Sequence, residues 1–385
     1  MSLATPTATW FNDDHRLYAD SVSRFFADHL VPNIERWNEE EMVERNFWHK
    51  AGEAGILGAT IPQTHGGAGG SIAFDAITAY EQAHCGDNGW GFGIQSIVIG
   101  YVQAYATEEQ KTRWLPQLAS GDMVAALAMT EPGTGSDLQA VTTSAVKDGN
   151  HYRINGSKTF ITNGQSADLI CLVAKTDKEQ SARGVSLIMV ETDGLEGFRR
   201  GRNLKKIGLK SQDTSELFFD NVKVPQTHLL GTEEGQGFYQ LMKQLPWERL
   251  YIGITALGSM DCALEETTRY VQERKAFGQR VMDFQNTRFK LAEIKTKIEV
   301  TRSFINDAIT RLETGTLDAA TASMAKWWGS QVQCDIIDEC LQLHGGYGYM
   351  MEYPIARLYT DARVQKIYGG TNEIMKELIA RSIDI

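Results

Sequence analysis

Cysteine is scarce, with five residues in 385: Cys85, Cys171, Cys262, Cys334 and Cys340. The set is odd and scattered, and no two cysteines form a C-x-x-C pair. A zinc or redox site therefore has little support, and no His, Asp or Glu cluster shows metal-ligand spacing. Buried, reduced thiols and no metal are expected. Long apolar runs are missing too, since none approaches the ~18 residues of a membrane span. No basic start, apolar run and small-residue cleavage site open the chain, so a cytoplasmic protein is expected. The polar, small stretch from 1 to 9 is expected to fray. Positive charge is in the minority, 38 Lys and Arg against 49 Asp and Glu, a net of −11. That argues against nucleic acid or an anionic membrane as the main partner, yet a local basic pocket can still hold a small anion.

The rest of the composition is that of a globular protein, 42% hydrophobic and 23% charged. The length exceeds a single core, so two or three domains are expected. Residues 1–125 read as helical: Leu17, Val22, Phe25, Phe26 and Leu30 recur at spacings of three to five. Thr107 and Gln110 form a capping-box signature. The glycines from Gly66 to Gly70 read as a connecting loop; phosphate binding is the alternative for such a run, but no clear strand precedes it. Residues 126–232 read as strands, among them 169–173, 185–190, 217–219 and 222–224. Asn155-Gly156 carries a hairpin signal. Without helical patterns between these runs, an antiparallel sandwich or barrel is expected. Residues 233–385 return to helix at 236–273, 284–313 and 318–343, with Gly345 as a C-cap. A C-terminal bundle follows from their length. The architecture is helical, then β, then helical, without internal repeats.

Four segments carry polar groups suited to chemistry. Met129 to Asp137 offers backbone N–H groups and hydroxyls that suit a pyrophosphate or the edge of a flavin ring, and it equally suits a plain turn. At Phe160-Ile161-Thr162, a ring and a hydroxyl at a strand end could meet a flat ligand, although a strand-end Phe is commonly core. Gln342 to Tyr349 ends a long helix in a glycine-rich turn, and His344 there reads as structural or near a phosphate. Tyr368-Gly369-Gly370-Thr371-Asn372-Glu373 opens the last helix, with Thr371 or Asn372 as N-cap and free N–H groups for an anion or a polarised carbonyl.

Together these segments resemble the acyl-CoA dehydrogenases. Ala128 to Asp137 is similar to one family signature. Gln342, Gly345, Gly346, Gly348 and Tyr349, followed by Glu352, Arg357 and Asp361, is similar to another. Arg274 to Gly278 with Phe284-Gln285 is also like the family. The resemblance covers nearly the whole chain in order, and Tyr368 to Arg381 looks most like the long-chain type. It implies a helical domain, a β domain and a four-helix C-terminal bundle. It implies FAD, held by Leu127, Met129, Thr130, Gly135, Ser136, Phe160, Ile161 and Thr162. From a neighbouring subunit, Arg274, Phe277, Gln285, Gln342, His344, Gly345 and Gly346 would reach the same cofactor. Thr371, Asn372 and Glu373 would close over it. Ser136, Tyr239, Arg249, Gly369 and Gly370 would meet the acyl-CoA. A homotetramer, built as a dimer of dimers, and an electron-transferring flavoprotein as acceptor are implied partners.

One departure is informative. Most of the family carries a glutamate directly before the Gly-Thr near the C-terminus, and here that position is Gly369. Gly369 has no side chain to take a proton, but its N–H could donate to a thioester carbonyl. The long-chain and isovaleryl-CoA types place the base on an earlier helix, where this chain has Glu248 two residues past Pro246. Pro246 is expected to kink that helix and aim the carboxylate inward. The resemblance thus implies that Glu248 removes the α-proton while hydride leaves the β carbon for the flavin. Long, branched or terpenoid acyl groups are the expected substrates. Tyr80, Glu81, Gln95, Ile99, Phe238 and Tyr239 are candidate pocket walls. An oxygen-using oxidase and a flavin-free acyl-CoA binder on the same fold are the alternatives.

Overall fold

The computed structural model describes residues 2–383. Six helices come first: α1 (Asp13–His29), α2 (Ile34–Glu40), α3 (Arg45–Glu53), α4 (Ile72–His84), α5 (Phe92–Tyr105) and α6 (Glu108–Ser120). The capping box at Thr107 forms as expected, and Gln110 also donates to the Leu229 carbonyl at 2.6 Å. Gly66–Gly70 is a loop. In α1, Val22 and Phe26 are buried, whereas Leu17 is exposed.

Seven strands follow: β1 (Ala125–Ala128), β2 (Ser144–Asp148), β3 (His151–Thr162), β4 (Leu169–Lys175), β5 (Val185–Glu191), β6 (Phe198–Asn203) and β7 (Thr214–Pro225). They make one sheet in the order β1-β4-β2-β3-β7-β6, with β5 on β4. Most pairings are antiparallel, but β4 runs parallel to β1 and β2. Every residue of β4 is buried, which explains an apolar run without alternation: both of its faces are covered.

Two readings of this region need correcting. Asn155-Gly156 is no hairpin, because β3 runs straight through it. Gly156 sits at φ +153, beside a register shift against β7, and a Cβ there would lie 2.4 Å from Thr143 Oγ1. The glycine serves close approach at a bulge, not a turn. The chain reverses instead at Gly149-Asn150, between β2 and β3. Likewise 217–219 and 222–224 are one strand, β7.

The C-terminal part rests on three long helices, α7 (Gly237–Glu273), α8 (Gln285–Glu313) and α9 (Ala319–His344). A short hairpin of β8 (Lys275–Ala276) and β9 (Gln279–Arg280) joins α7 to α8. Gly345 caps α9 as expected. Two short helices, α10 (Pro354–Ala362) and α11 (Asn372–Ala380), pack on α9. Helix α7 is the shared spine, touching α4 and α5 on one side and α8 and α9 on the other. No helix among the described residues is long and apolar enough to cross a membrane.

The expected fraying at residues 2–9 is also overturned. Leu3 is buried, and the Asn306 side chain bonds the Leu3 carbonyl (2.9 Å), the Thr5 N–H (3.3 Å) and Trp10 Nε1 (3.0 Å). Composition misled here because one buried amide on α8 satisfies several backbone groups at once.

A charged contact locks the helices. Arg302 Nη2 on α8 lies 2.7 Å from both carboxylate oxygens of Asp261 on α7, and the Tyr80 hydroxyl on α4 donates to Asp261 Oδ2 at 2.7 Å. Both charged side chains are buried. Arg302→Met would leave Asp261 buried without its counter-charge, and a loss of about 3–5 kcal/mol is expected in denaturant unfolding. Removing the exposed partner in the Arg269–Glu266 pair, by Arg269→Met, should cost less than about 1 kcal/mol. Similar losses for the two variants would contradict this assignment.

Candidate active site

A cavity of about 1060 Å³, counted with its open mouth, lies where the helical and β parts meet. Helix α5 supplies Ile94 and Ile97, and α7 supplies Glu248, Tyr251, Ile252 and Thr255. The opposite wall is the end of β1 with the residues after it, Leu127, Met129 and Thr130, and the end of β3, Phe160, Ile161 and Thr162. Tyr368 and Gly369 close a third side. Eight sequence-predicted residues thus share one space: Leu127, Met129, Thr130, Phe160, Ile161, Thr162, Glu248 and Gly369.

Among the described residues, Glu248 is the only carboxylate that lines this cavity. It is 8% exposed. Helix α7 continues without a break through Pro246, so burial of the carboxylate does not need a broken helix. The Tyr101 hydroxyl donates to Glu248 Oε1 at 2.8 Å. Burial raises the Glu248 carboxyl to about 7, although the Tyr101 hydrogen bond and the nearby Arg249 charge pull it down. A carboxyl at that value holds and releases a proton near neutral pH.

The loop after β1 is fixed by a buried ion pair. Lys158 Nζ contacts Glu131 Oε1 at 2.9 Å and donates to the Met129 carbonyl at 2.8 Å. The Glu131 carboxylate also accepts from Thr142 N–H (2.7 Å) and Thr143 N–H (2.9 Å). Burial alone would raise this carboxyl, but the Lys158 charge and these hydrogen bonds hold it well below the usual range. Met129 and Thr130 are thereby held at the cavity.

Across from them, β3 ends in a distortion. Its register against β7 shifts between Lys158 and Ile161, and Phe160 takes φ +59. This turns an aromatic ring out, 68% exposed, at the cavity edge. Non-glycine residues rarely adopt that region, so the surrounding fold holds the ring there. The neighbouring Thr162 hydroxyl bonds Gln212 Oε1 at 3.3 Å.

Gly369 also has a positive φ, +64, and a Cβ there would lie 2.6 Å from Ile252 Cδ1. Among the described residues its N–H donates to no acceptor. This N–H is therefore available to a ligand carbonyl.

A second hollow lies apart from the first. Arg274, Gln342, His344, Gly345 and Gly346 line it with Tyr270 and Tyr347. His344 is buried, stacked on Tyr270 at 4.3 Å, and its Nδ1 bonds the Cys340 carbonyl at 2.9 Å, which suits a structural role. Phe277 is 96% exposed, and Gln285 is exposed as well. On a single chain these groups do not reach the first cavity.

Other candidates fall outside both spaces. Gly135 and Ser136 are exposed on the loop. Tyr239 is 44% exposed and away from the lining. Arg249 is buried and donates to Ser323 Oγ at 3.3 Å. Gly370 and Glu373 line neither space. Thr371 is the N-cap of α11, and Asn372 is buried, accepting from Lys326 Nζ at 2.9 Å and Ser330 Oγ at 3.1 Å. None of the expected walls Tyr80, Glu81, Gln95, Ile99, Phe238 and Tyr239 lines the cavity. Gln95 instead donates to the Leu118 and Met123 carbonyls and accepts from Ala125 N–H, so it joins α5 to α6 and β1. The walls not foreseen include Trp90, Gln212, Ile252 and Gln365.

These residues fit a flavin dinucleotide. An exposed ring, two threonine hydroxyls and the Gln212 amide suit a flat heterocycle with polar edges. In the second hollow, a Cβ at Gly345 or Gly346 would meet nothing within 4 Å, leaving space beside the Arg274 guanidinium for an anion.

Known proteins share this architecture over nearly the whole chain. Family models for the acyl-CoA dehydrogenase N-terminal, middle and C-terminal domains match residues 12–122, 126–222 and 235–383. The long-chain specific acyl-CoA dehydrogenase of Sus scrofa mitochondria is 50% identical over 97% of this chain and 87% of its own length. A crystal structure of an acyl-CoA dehydrogenase from Geobacillus kaustophilus is 44% identical, with a TM-score of 0.96 over 98% of this chain and 100% of that one. A glutaryl-CoA dehydrogenase from Mycobacterium smegmatis, solved in complex with FADH2, is 29% identical with a TM-score of 0.91, over 98% of this chain and 96% of that one.

The contact between Gly369 and Ile252 yields a test. Gly369→Ala should cost about 1–2 kcal/mol from its φ alone, with a further loss from crowding against Ile252. Adding Ile252→Val removes Cδ1, so the double variant should recover the crowding part and not the rest. Thermal melting measures both, and a Gly369→Ala protein that melts like wild type would contradict the geometry.

Proposed function

The chain belongs to the acyl-CoA dehydrogenase family and catalyses FAD-dependent α,β-dehydrogenation of acyl-CoA thioesters; on that premise we propose that Glu248 takes the α-proton and that Gly369 polarises the thioester carbonyl. The burial of Glu248 on the cavity wall, with no other carboxylate lining it among the described residues, carries this reading. FAD, when bound, supplies the acceptor for the hydride that leaves the β carbon.

The chain's own residues do the rest. The Gly369 N–H, free of other partners among the described residues, donates to the carbonyl and stabilises the negative charge that develops there. That lowers the barrier to losing the α-proton. Glu248 receives the proton on its carboxylate. Ile94, Ile97, Ile252 and Trp90 line the space and keep water from competing. The ring of Phe160 and the hydroxyls of Thr130 and Thr162 would hold the flavin, which would supply the hydride acceptor.

Finer readings follow. We infer a long-chain, branched or terpenoid acyl group, since Gly369 leaves the wall without a side chain and Ile94, Ile97 and Ile252 give the cavity an apolar lining. We infer that a second copy, within a dimer of dimers, brings Arg274, Phe277, Gln285 and the turn Gln342–Gly346 to this chain's cofactor. The almost fully exposed Phe277 and the 83% exposed Tyr349 support burial against another chain. An electron-transferring flavoprotein is the inferred acceptor, and oxygen uptake without added acceptor would point to an oxidase instead.

The base assignment makes a pH prediction. A base whose folded pKa is raised to about 7 works above that value, so kcat/KM should rise with pH through about 7. Glu248→Gln should lower the rate of anaerobic flavin bleaching by acyl-CoA about 10³-fold, with FAD content unchanged. Bleaching of the variant at the wild-type rate would remove Glu248 from the role. A panel of straight and branched acyl-CoAs ranks the substrates in the same assay.

A further inference from the structure

Tyr101 is the only hydrogen-bond partner of the Glu248 carboxyl among the described residues, at 2.8 Å from Oε1. It comes from α5, 147 residues earlier in the chain. Its side chain is fully buried and makes no part of the cavity lining, whereas Glu248 does. The phenol therefore approaches the carboxylate from behind. Glu248 Oε2 accepts no hydrogen bond among the described residues. The Tyr101 hydroxyl in turn has no other partner among them. A phenylalanine would fill the same volume, so packing does not account for the hydroxyl.

We propose that Tyr101 is a positioning residue for the base: it ties one carboxylate oxygen, presents the other to the α carbon, and stabilises the ionised form that must accept the proton. The proposal rests on the reading of Glu248 as that base. In the step itself the C–H bond at the α carbon breaks, its electron pair stays with the polarised thioester, and the proton goes to Oε2. The Tyr101 proton stays on its oxygen throughout, because burial and the neighbouring carboxylate raise the phenol far above its ordinary range.

Three groups face Glu248. Arg249, its neighbour on α7, favours the charged form through space while its guanidinium bonds Ser323 on α9. Cys171 on β4 is held as a neutral thiol by burial and by the Glu248 charge. Tyr101 alone touches the carboxylate with a donor. Burial opposes ionisation of Glu248, and a donor to the anion is the direct remedy.

The test uses the purified, FAD-loaded protein with Tyr101→Phe, Glu248→Gln and 3-fluorotyrosine at 101. Two readouts are taken: kcat/KM against pH, and the infrared carbonyl band of the protonated Glu248 carboxyl against pH. In Tyr101→Phe, both midpoints should move up by about one pH unit. Below the midpoint kcat/KM then falls about tenfold, with KM nearly unchanged. The fluorinated tyrosine is nearly isosteric and a stronger donor, so both midpoints should move down; it keeps the test decisive if Tyr101→Phe folds poorly. Midpoints that stay in place in a folded variant, or that stay in place with fluorotyrosine, overturn the role of Tyr101. If Glu248→Gln keeps the acid limb and the infrared band, the base assignment fails instead, and the two failures are distinct.

Discussion

A carboxylate that takes a proton from carbon has to be dry, and a dry carboxylate resists being charged. The structure around Glu248 meets both demands. Burial supplies dryness and raises the carboxyl to about 7. A phenol from α5 and a guanidinium on α7 keep the charged form within reach. The opposite wall, made from strand ends, carries polar groups that suit a flavin, and among the described residues it adds no carboxylate to the cavity. On an exposed helix face the same carboxylate would lose the raised affinity for a proton.

This arrangement depends on where α7 lies. The helix is 37 residues long and serves as both the spine of the C-terminal part and one wall of the cavity. One end of its buried stretch presents Glu248, and further along Asp261 is gripped by Arg302 and Tyr80. The facing wall has its own lock in Lys158 and Glu131. Two buried ion pairs thus fix the two sides of the cavity. Each is a structural commitment whose desolvation is tolerated because both partners are satisfied.

Much of this could be read from the residues. The capping box at Thr107, the C-cap at Gly345 and the buried strands β4 and β5 carry local signals that survive in the fold. The loop after β1, the end of β3 and the Gly369 turn were recognisable as a set, and they do meet at one cavity with Glu248. What was not legible depends on distant packing. Asn155-Gly156 has the composition of a turn, yet the approach of Thr143 decides its conformation. Residues 2–9 have no pattern of their own and are ordered by Asn306, some 300 residues away. Tyr101 lies in an apolar helix and reads as ordinary core until the helix it faces is known. The walls on α5 were misjudged by a rotation: Ile94 and Ile97 face the cavity, while Gln95 points to α6 and β1.

The central claim is that Glu248 is the base, and a crystal structure of the FAD-loaded protein with an unreactive thioether analogue of a long-chain acyl-CoA tests it most directly. The account predicts a Glu248 carboxylate oxygen within about 3.5 Å of the α carbon, the other oxygen still on Tyr101, and the ligand carbonyl on the Gly369 N–H. A different carboxylate nearest the α carbon, or Glu248 turned away from the ligand, would contradict it.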